Sequence, residues 1–406
     1  MPEGLNSVGR TVAGVSFVVV LLFSVVGLFF AGLVGANPLP APSILEVYIK
    51  SDGSVDPASV PIQRTGSVYT FTGDLTNSTI VIERDNVVID GAGFKLQGNG
   101  YWWNTGITLT NRHNVLIKNI DICDYSRSAT LTESSNIIIY ANDMLTLRNV
   151  VLDSSCGNQI VGNNITGQDT SFGYCVHIEN SAADNLIVGN NFVNAGVAVT
   201  IYSSSGKNNT FYHNNFINNS NNAGGWIEDE EANVWDNGVE GNFWSDYNGT
   251  DADGDGVGDI PYIIDDVRPD RYPLMSPFDV SRVTVELPEW MIPPTLRLSS
   301  PENAACLFAD VSLNFTVDKQ TSWLGYSLDG QENVTVTGNT TLTGLASGLH
   351  NVTVYAKGAF ENNGTSETIY FTIAEPFPTV PVAAASAASV AAVTVGLIIY
   401  FKKRTR

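Results

Sequence analysis

The sequence has few basic residues. Its 20 Lys and Arg stand against 41 Asp and Glu, which gives a formal net charge of −21 and an isoelectric point near 4.4. A surface of this sign repels phosphate backbones, so nucleic acid is not expected among the partners. It suits cations, cationic partners or a solvated cell surface.

Cysteine is also scarce, with four residues at positions 123, 156, 175 and 306. They are too few for a disulfide scaffold, and the absence of a CxxC spacing argues against zinc. One disulfide and a set of unpaired buried thiols both remain open.

Long apolar runs occur only near the two ends. Residues 1–36 carry Arg10 before an apolar stretch, which predicts a signal peptide or an N-terminal membrane anchor. Residues 382–401 form a second run, long enough for a transmembrane helix of about 30 Å. The basic tail 402–406 follows, and by the positive-inside rule it is cytoplasmic. We therefore expect a cell-membrane protein with a single-pass C-terminal anchor, whose bulk is extracytoplasmic. Asn-x-Ser/Thr sequons agree with a glycoprotein.

Between about residues 44 and 225 the sequence repeats itself. Close copies lie at 158–165, 185–192 and 209–216, and looser copies begin at Asn86, Asn114 and Asn136. Each copy has a short β-branched or aromatic strand, a polar turn with Asn and a second strand. A repeat length in the twenties with this pattern predicts an all-β fold, a right-handed parallel β-helix. The recurring Asn residues are expected to form turns and coil-to-coil amide ladders, because Asn tolerates left-handed backbone. Sugar-binding amides are the alternative.

The predicted β-helix covers residues 44–280. Its C-terminal part, 226–280, breaks the repeat, is rich in Trp and Tyr and is expected to cap the stack. After a linker at 281–292, short alternating strands at 293–375 predict an immunoglobulin-like β-sandwich.

The strongest local motif is an acidic, glycine-rich loop at 251–259. Alternating oxygen ligands around a glycine turn suit Ca²⁺. Asp251, Asp253 and Asp255 take the first, third and fifth positions of an EF-hand loop. The Val257 carbonyl and Asp259 take the seventh and ninth.

The twelfth position of this loop is Tyr262 rather than Glu, and Pro261 prevents a regular exiting helix. The sequence therefore predicts a structural calcium loop without EF-hand helices, and a solvated acidic turn is the alternative. The candidates for completing the shell are Asp246, Asp265, Asp266 and Asp270. The acidic run 228–231 is a further candidate for holding a cation.

Catalytic residues are not predicted. The carboxylates of the coils are scattered, without an adjacent Asp pair or a Gly-His-Gly sequence. The His residues are isolated in sequence, so turn or surface roles are expected of them. A solenoid brings residues of different coils together, however, and this leaves an enzyme open.

The repeats and tail resemble a known family. The Asn-x-Ile-x-x-Asn-Asn-Ile/Phe coils, the opening at 69–73 and 86–93, and the tail at 241–247 and 270–274 are similar to NosD-type periplasmic copper-binding β-helices. That family is also grouped with carbohydrate-binding and sugar-hydrolase β-helices. The resemblance covers roughly residues 44–280 and implies copper, which clusters of His, Cys and Met would bind. The added sandwich and anchor resemble archaeal cell-surface proteins.

The combined expectation is a membrane-anchored cell-surface binding or scaffolding protein, whose calcium-stabilised β-helix contacts cell-surface glycans or surface-layer proteins. A polysaccharide lyase or hydrolase is the first alternative. A maturation accessory for a secreted metalloenzyme is the second.

Overall fold

The computed structural model describes residues 43–404, except 102, 169–172, 203–206, 225–232, 265–268, 286–288, 359 and 376–378. The predicted signal or anchor at 1–36 lies outside these residues, as do the acidic run 228–231, Asp265 and Asp266.

The parallel β-helix predicted from the repeats is confirmed, with about seven turns. Each full coil gives one strand to each of three sheets. Sheet 1 contains β1 (Leu45–Ile49), β2 (Val55–Asp56), β6 (Ser78–Ile82), β9 (Thr105–Thr110), β12 (Arg127–Thr132), β15 (Arg148–Asp153), β18 (Tyr174–Glu179), β21 (Val197–Tyr202) and β24 (Asn221–Gly224). Sheet 2 contains β3 (Ile62–Thr65), β4 (Val68–Phe71), β7 (Val87–Asp90), β10 (His113–Lys118), β13 (Ser135–Tyr140), β16 (Gln159–Val161), β19 (Leu186–Val188) and β22 (Thr210–Tyr212). Sheet 3 contains β5 (Leu75–Thr76), β8 (Lys95–Gln97), β11 (Asp121–Cys123), β14 (Asp143–Thr146), β17 (Asn164–Gly167), β20 (Asn191–Val193), β23 (Asn215–Ile217) and β25 (Phe243–Trp244).

The interior is a set of apolar columns, because equivalent positions of successive coils pair in register. In sheet 3 one column runs Met144, Ile165, Phe192, Phe216 and Trp244. Each of these side chains is at most 1% exposed. The side chains of this column become larger toward the C-terminal end of the β-helix, where the aromatic rings close the stack of coils.

Two ladders of buried Asn side chains follow the corners of the coils. In one, the Oδ1 atoms of Asn163, Asn190, Asn214 and Asn242 each accept the backbone N–H of the preceding member. The other runs through Asn158, Asn185, Asn209 and Asn233. The structural amide ladder expected from the repeats is therefore present. These amides satisfy backbone donors that the corners would otherwise leave buried and unpaired.

The turn residues are a different set of positions. Asn86, Asn114 and Asn136 have φ of 60°, 57° and 55°. In register with Asn136 stands Gly157, not Asn158, since Ile138 pairs with Gln159. The alignment of the looser copies with the close copies was therefore wrong by one residue. The sequence does not distinguish an Asn with a left-handed backbone from an Asn of the ladder.

After these sheets comes a two-stranded antiparallel sheet of β26 (Tyr262–Ile263) and β27 (Pro269–Asp270). A β-sandwich follows. Its smaller sheet contains β28 (Leu296–Ser300), β30 (Val311–Val317) and β33 (Thr340–Leu342), and its larger sheet contains β29 (Ala305–Cys306), β31 (Thr321–Leu328), β32 (Val334–Thr335), β34 (Gly348–Gly358), β35 (Asn363–Thr365) and β36 (Ile369–Ile373). Leu313, Val352, Val354 and Phe371 form the buried core between them. The 293–375 pattern thus folds as the expected β class, although the domain boundaries themselves stay predictions.

The segment between the two parts is packed. It contains two 3-10 turns, Val280–Arg282 and Glu289–Met291. Trp290 and Met291 lie on a small apolar cluster of Val88, Leu116 and Ile138 on sheet 2. Glu361 of the sandwich accepts ion pairs from Arg64 at 2.6 Å and Arg84 at 2.9 Å. The connecting segment therefore packs on the β-helix through apolar contacts, and the sandwich is joined to the β-helix by ion pairs.

The chain ends in helix α1 (Thr379–Arg404). Within the described part of the chain, no helix combines the length and the apolar character needed to cross a bilayer. The anchor expected at 382–401 stays a prediction. All four cysteines are free thiols. Of the two alternatives that the sequence left open, a disulfide or unpaired thiols, the structure therefore has unpaired thiols.

Candidate functional sites

The end of the β-helix is closed by two segments that are distant in sequence. Gly241 donates its N–H to the Tyr272 carbonyl at 2.7 Å, and Leu274 donates to the Asn242 carbonyl at 2.9 Å. A side chain at Gly241 would place its Cβ 1.8 Å from Asp270 Oδ1. Only a glycine lets Asp270 approach this closely. The two parts of the tail pattern, 241–247 and 270–274, therefore pack directly against each other.

Asp270 is the last member of the Asn163 ladder. Its Oδ2 accepts the backbone N–H of Asn242 at 2.7 Å and the Trp244 Nε1–H at 2.8 Å. Its Oδ1 accepts the Tyr272 N–H at 3.1 Å. Burial raises the pKa of Asp270 to about 6, although these donors act in the opposite direction. Trp244 is stacked between Phe216 at 4.1 Å and Tyr262 at 4.2 Å, measured between ring centroids.

The acidic loop is attached to this cap by its backbone. Gly258 donates to the Pro273 carbonyl at 2.8 Å, and Met275 donates to the Gly256 carbonyl at 3.0 Å. Gly254 and Gly256 have φ of 78° and 91°, so the loop turns where its glycines are. A ligand held by this loop would therefore tie the cap segments together.

Three of the predicted ligands meet in the loop. Carboxylate oxygens of Asp251, Asp253 and Asp255 all lie within 4.8 Å of one another. The Gly256 and Gly254 N–H groups bond to Asp251 and lower its pKa. This carboxylate is therefore held ionised within the cluster.

The other candidates are placed differently. Asp259 Oδ2 accepts the Ala252 N–H at 2.8 Å, which closes the loop, and Val257 pairs with Leu274 through a β-bridge. Asp246 accepts from Asn222 and Tyr262, while Asp270 belongs to the ladder. Asp246 and Asp270, the two described candidates for completing the shell, are thus both engaged in other contacts.

A second site lies on the outer face of sheet 1. We call Arg127, Arg148, Tyr174, His177 and Tyr202 the arginine–aromatic patch. Arg127 pairs in register with Arg148, and Arg148 pairs with Tyr174, so three successive coils place them side by side. Neighbouring strands stand about 4.8 Å apart. Residues separated by more than twenty positions in sequence therefore form one continuous surface.

The rings of the patch are in contact. The Arg148 guanidinium lies 5.6 Å from the Tyr174 ring centroid. Tyr174 stacks on His177 at 4.6 Å, and His177 contacts Tyr202 at 5.4 Å. Tyr202 is 50% exposed, so the row has a solvent-facing aromatic edge.

His177 is fixed within this row. Its Nδ1 lies 2.5 Å from Thr200 Oγ1, and its Nε2 lies 3.3 Å from Glu179 Oε2. Burial lowers the pKa of His177, with Glu179 opposing the shift. Burial also raises the pKa of Tyr174, opposed by Arg148 and Arg127. Both rings are therefore neutral near pH 7 and act through shape and hydrogen bonding.

Two carboxylates end the same strands. Asp153 at the end of β15 pairs in register with Glu179 at the end of β18. The carboxylates that looked scattered in the sequence include this adjacent pair. Asp153 also accepts from Asn180 at 2.6 Å.

The remaining histidines are apart from each other. His113 bonds Ser135, His213 bonds Glu240 and stacks on Phe278, and His350 bonds Asp329 in the sandwich. Within the described residues, the acidic loop is the only group of three or more His, Cys, Asp or Glu side chains close enough to share an ion. Its ligands are all oxygen, which suits Ca²⁺ and not copper. The described residues thus do not fit copper.

Sequence reasoning did not find the patch. Its two arginines, two tyrosines and His177 are isolated from one another along the chain. The available signal was the spacing of 21 and 26 residues from Arg127 to Arg148 to Tyr174, which follows the repeat.

Comparison with known proteins agrees with the fold. Residues 49–249 match the family described as periplasmic copper-binding protein (NosD). Halomucin of Haloquadratum walsbyi is 40% identical over 95 residues, which are 21% of this chain and 1% of halomucin. The chain thus spans a very small part of that curated relative.

Proposed function

Because residues 49–249 form a β-helix of the NosD family, we propose that the chain is an extracytoplasmic, membrane-anchored surface protein that binds glycans through the arginine–aromatic patch. The family description and the similarity to halomucin support a location outside the cytoplasm. The observation that carries glycan binding is the row of rings from the half-buried Tyr174 and His177 to the exposed Tyr202. Such rings offer apolar faces to sugar C–H groups, and their polar atoms offer hydrogen bonds.

The test is retention of the purified chain on immobilised polysaccharides. We expect Tyr202→Ala to weaken retention, because it removes the exposed end of the row. Tyr370→Ala is the matched control, since Tyr370 is 51% exposed on the sandwich and Tyr202 is 50% exposed on the patch. If no polysaccharide retains the chain, or if both variants weaken retention equally, the proposal fails.

We further propose that calcium is a structural ligand of the acidic loop. Three carboxylates within 4.8 Å of one another repel in the absence of a cation. The loop is bonded to 273–275, so a bound cation would stabilise the cap rather than act on a substrate. Val257 and Asp259 remain candidates for the rest of the shell through oxygens that are not used in the contacts above.

The proposed anchor is α1. Its described apolar side chains are strongly exposed, for example Leu397 at 51% and Ile399 at 58%, and Lys402, Lys403 and Arg404 follow them. Apolar side chains before a basic end suit a lipid environment. We expect removal of residues 379–406 to release the protein from the membrane fraction into the medium. Equal membrane association of both forms would contradict this proposal.

A polysaccharide-active enzyme is the second candidate, and the register pair Asp153–Glu179 favours it. Strand spacing of about 4.8 Å brings two carboxylates into the range used by retaining glycosidases, roughly 5–5.5 Å. Release of oligosaccharides from a polysaccharide panel, abolished by Glu179→Gln and unaffected by Asp143→Asn at an exposed position on sheet 3, would support it. No product from any polysaccharide would leave binding as the function.

A further inference from the structure

The two arginines of the patch differ from the other basic residues of the β-helix. Lys50, Arg64, Lys95, Arg112 and Lys118 each form an ion pair with Asp or Glu. Arg127 and Arg148 form none within the described residues, and the Nε atom of each is buried there without a hydrogen-bond partner. This occurs in a chain with twice as many acidic as basic residues.

A buried guanidinium N–H without an acceptor is costly, and two adjacent guanidinium groups repel each other. Both costs fall when an oxyanion lies between them, because Arg presents a planar fork of donors that matches carboxylate and sulfate oxygens. The adjacent coils place the two side chains in register. The arrangement therefore has the donors of an oxyanion site.

The location along the strands also suits an anion. Arg127 and Arg148 begin β12 and β15, whereas Asp153 and Glu179 end β15 and β18. Six residues of strand span roughly 16 Å, so the acidic pair stands well away from the arginine pair, and Glu179 lies beside His177 and Tyr202 at the other end of the patch. Tyr174 lies next to Arg148 in the following coil and borders the arginine pair.

From this geometry we propose that Arg127 and Arg148 form a subsite for an oxyanion carried on a sugar, a carboxylate or a sulfate ester, so that the glycan bound by the patch is an acidic one. This inference rests on the proposed glycan binding and adds its chemical class. The charged group lies between the two guanidinium groups, beside Tyr174.

The experiment measures binding of the full chain to four immobilised polysaccharides: a polyuronate, the same polymer with its carboxyl groups reduced, a sulfated polysaccharide and a neutral one. The variants are Arg127→Gln, Arg148→Gln and Arg148→Lys. Arg112→Gln is the control, because Arg112 is an ion-paired arginine of the same β-helix. Thermal unfolding of each variant checks that it remains folded, and the Lys variant keeps the charge if a Gln variant does not fold.

We expect Arg127→Gln and Arg148→Gln each to weaken binding of an acidic polymer about tenfold or more. Arg148→Lys should weaken it less, since the charge stays and the fork is lost. The Arg112 variant should bind unchanged. Loss with the carboxyl-reduced polymer assigns the oxyanion to a carboxylate, and arginine-dependent binding of the sulfated polymer assigns it to a sulfate.

Two results would overturn the inference. One is equally strong binding of the acidic and neutral polymers with no effect of the arginine variants, which leaves glycan binding standing. The other is an Arg112 effect as large as that of Arg148, which would indicate non-specific charge attraction. If none of the four polymers binds, the proposed function fails as well.

Discussion

The Asn ladder makes a large and local contribution to stability that can be tested with two neighbouring residues. Asn163 is fully buried, and its Oδ1 accepts from the backbone N–H and the Nδ2 of Asn142. Its Nδ2 donates to the Ile139 and Val161 carbonyls and to Asn190 Oδ1. Asn163→Ala removes all five bonds and leaves the Asn142 N–H without its acceptor in a buried corner.

Each net hydrogen bond contributes about 1 kcal/mol, and a buried unpaired donor costs about 1–3 kcal/mol. The neighbouring groups keep part of their bonding, so we expect Asn163→Ala to lower the free energy of unfolding by about 3–5 kcal/mol. Asn164→Ala is the matched control, because Asn164 is adjacent in sequence and exposed. Its cost should stay within about 0.5 kcal/mol.

The measurement is denaturant unfolding followed by circular dichroism, with protein from a host that does not glycosylate, since Asn164 opens a sequon. Solenoids can unfold coil by coil, so the comparison uses the midpoint and slope of each transition. Equal midpoints for the two variants would refute the view that the Asn ladder, rather than the apolar columns, stabilises the corners of the coils.

Three further predictions concern the cap. Chelation, or Asp253→Ala in the presence of calcium, should lower the melting temperature, since a ligand at a hundredfold excess over Kd stabilises by about 2.7 kcal/mol. Asp143→Ala, at an exposed position on sheet 3 outside the cap, is the control, and a melt that chelator leaves unchanged would contradict the site. Gly241→Ala should destabilise the cap because its Cβ would lie 1.8 Å from Asp270 Oδ1, whereas a Cβ at Gly338 has nothing within 4 Å, so equal thermal melts of the two variants would show that the close approach is unimportant. The pKa of Asp270 is raised to about 6 from 3.8, so the folded state holds this proton more tightly and the stability it contributes is lost as pH rises from about 4 through 6. Relative to Asp270→Asn, the unchanged protein should lose about 2 kcal/mol between pH 4 and pH 7 in unfolding titrations, and a constant difference would refute the assignment.

Several parts of the molecule could be predicted from its sequence for physical reasons. Strand positions follow from β-branched residues spaced at the repeat, because a coil cannot bury its apolar face alone. The acidic loop follows from local spacing, and its first three Asp residues meet as expected. The aromatic residues at 235, 244 and 262 were expected near the cap. The stacking of Trp235 on Phe211, of Trp244 on Phe216 and of Tyr262 on Trp244 depends on which columns they continue.

Other parts depend on register, which composition does not contain. Asn136 and Asn158 both begin an apolar strand, yet one has a left-handed backbone and the other forms part of the ladder. Their roles separate once Gly157 is recognised as the turn residue, since Gly and Asn both adopt positive φ. A one-residue shift in alignment therefore exchanges a surface turn for a buried amide.

The same dependence on register explains why the sequence alone does not reveal the arginine pair. Along the chain Arg127 and Arg148 are two isolated basic residues in an acidic protein, and a salt bridge would be the ordinary expectation for each. The coil length of 21 residues between them places them side by side at the start of β12 and β15, whereas Asp153 stands at the end of β15. A coil one residue longer would turn one of the two side chains toward the interior, because successive residues of a strand face opposite sides. The spacing that stacks the apolar columns therefore also fixes the oxyanion subsite, so a deletion of one residue between Arg127 and Arg148 should abolish acidic-glycan binding and lower stability together, whereas Arg148→Gln should affect binding alone.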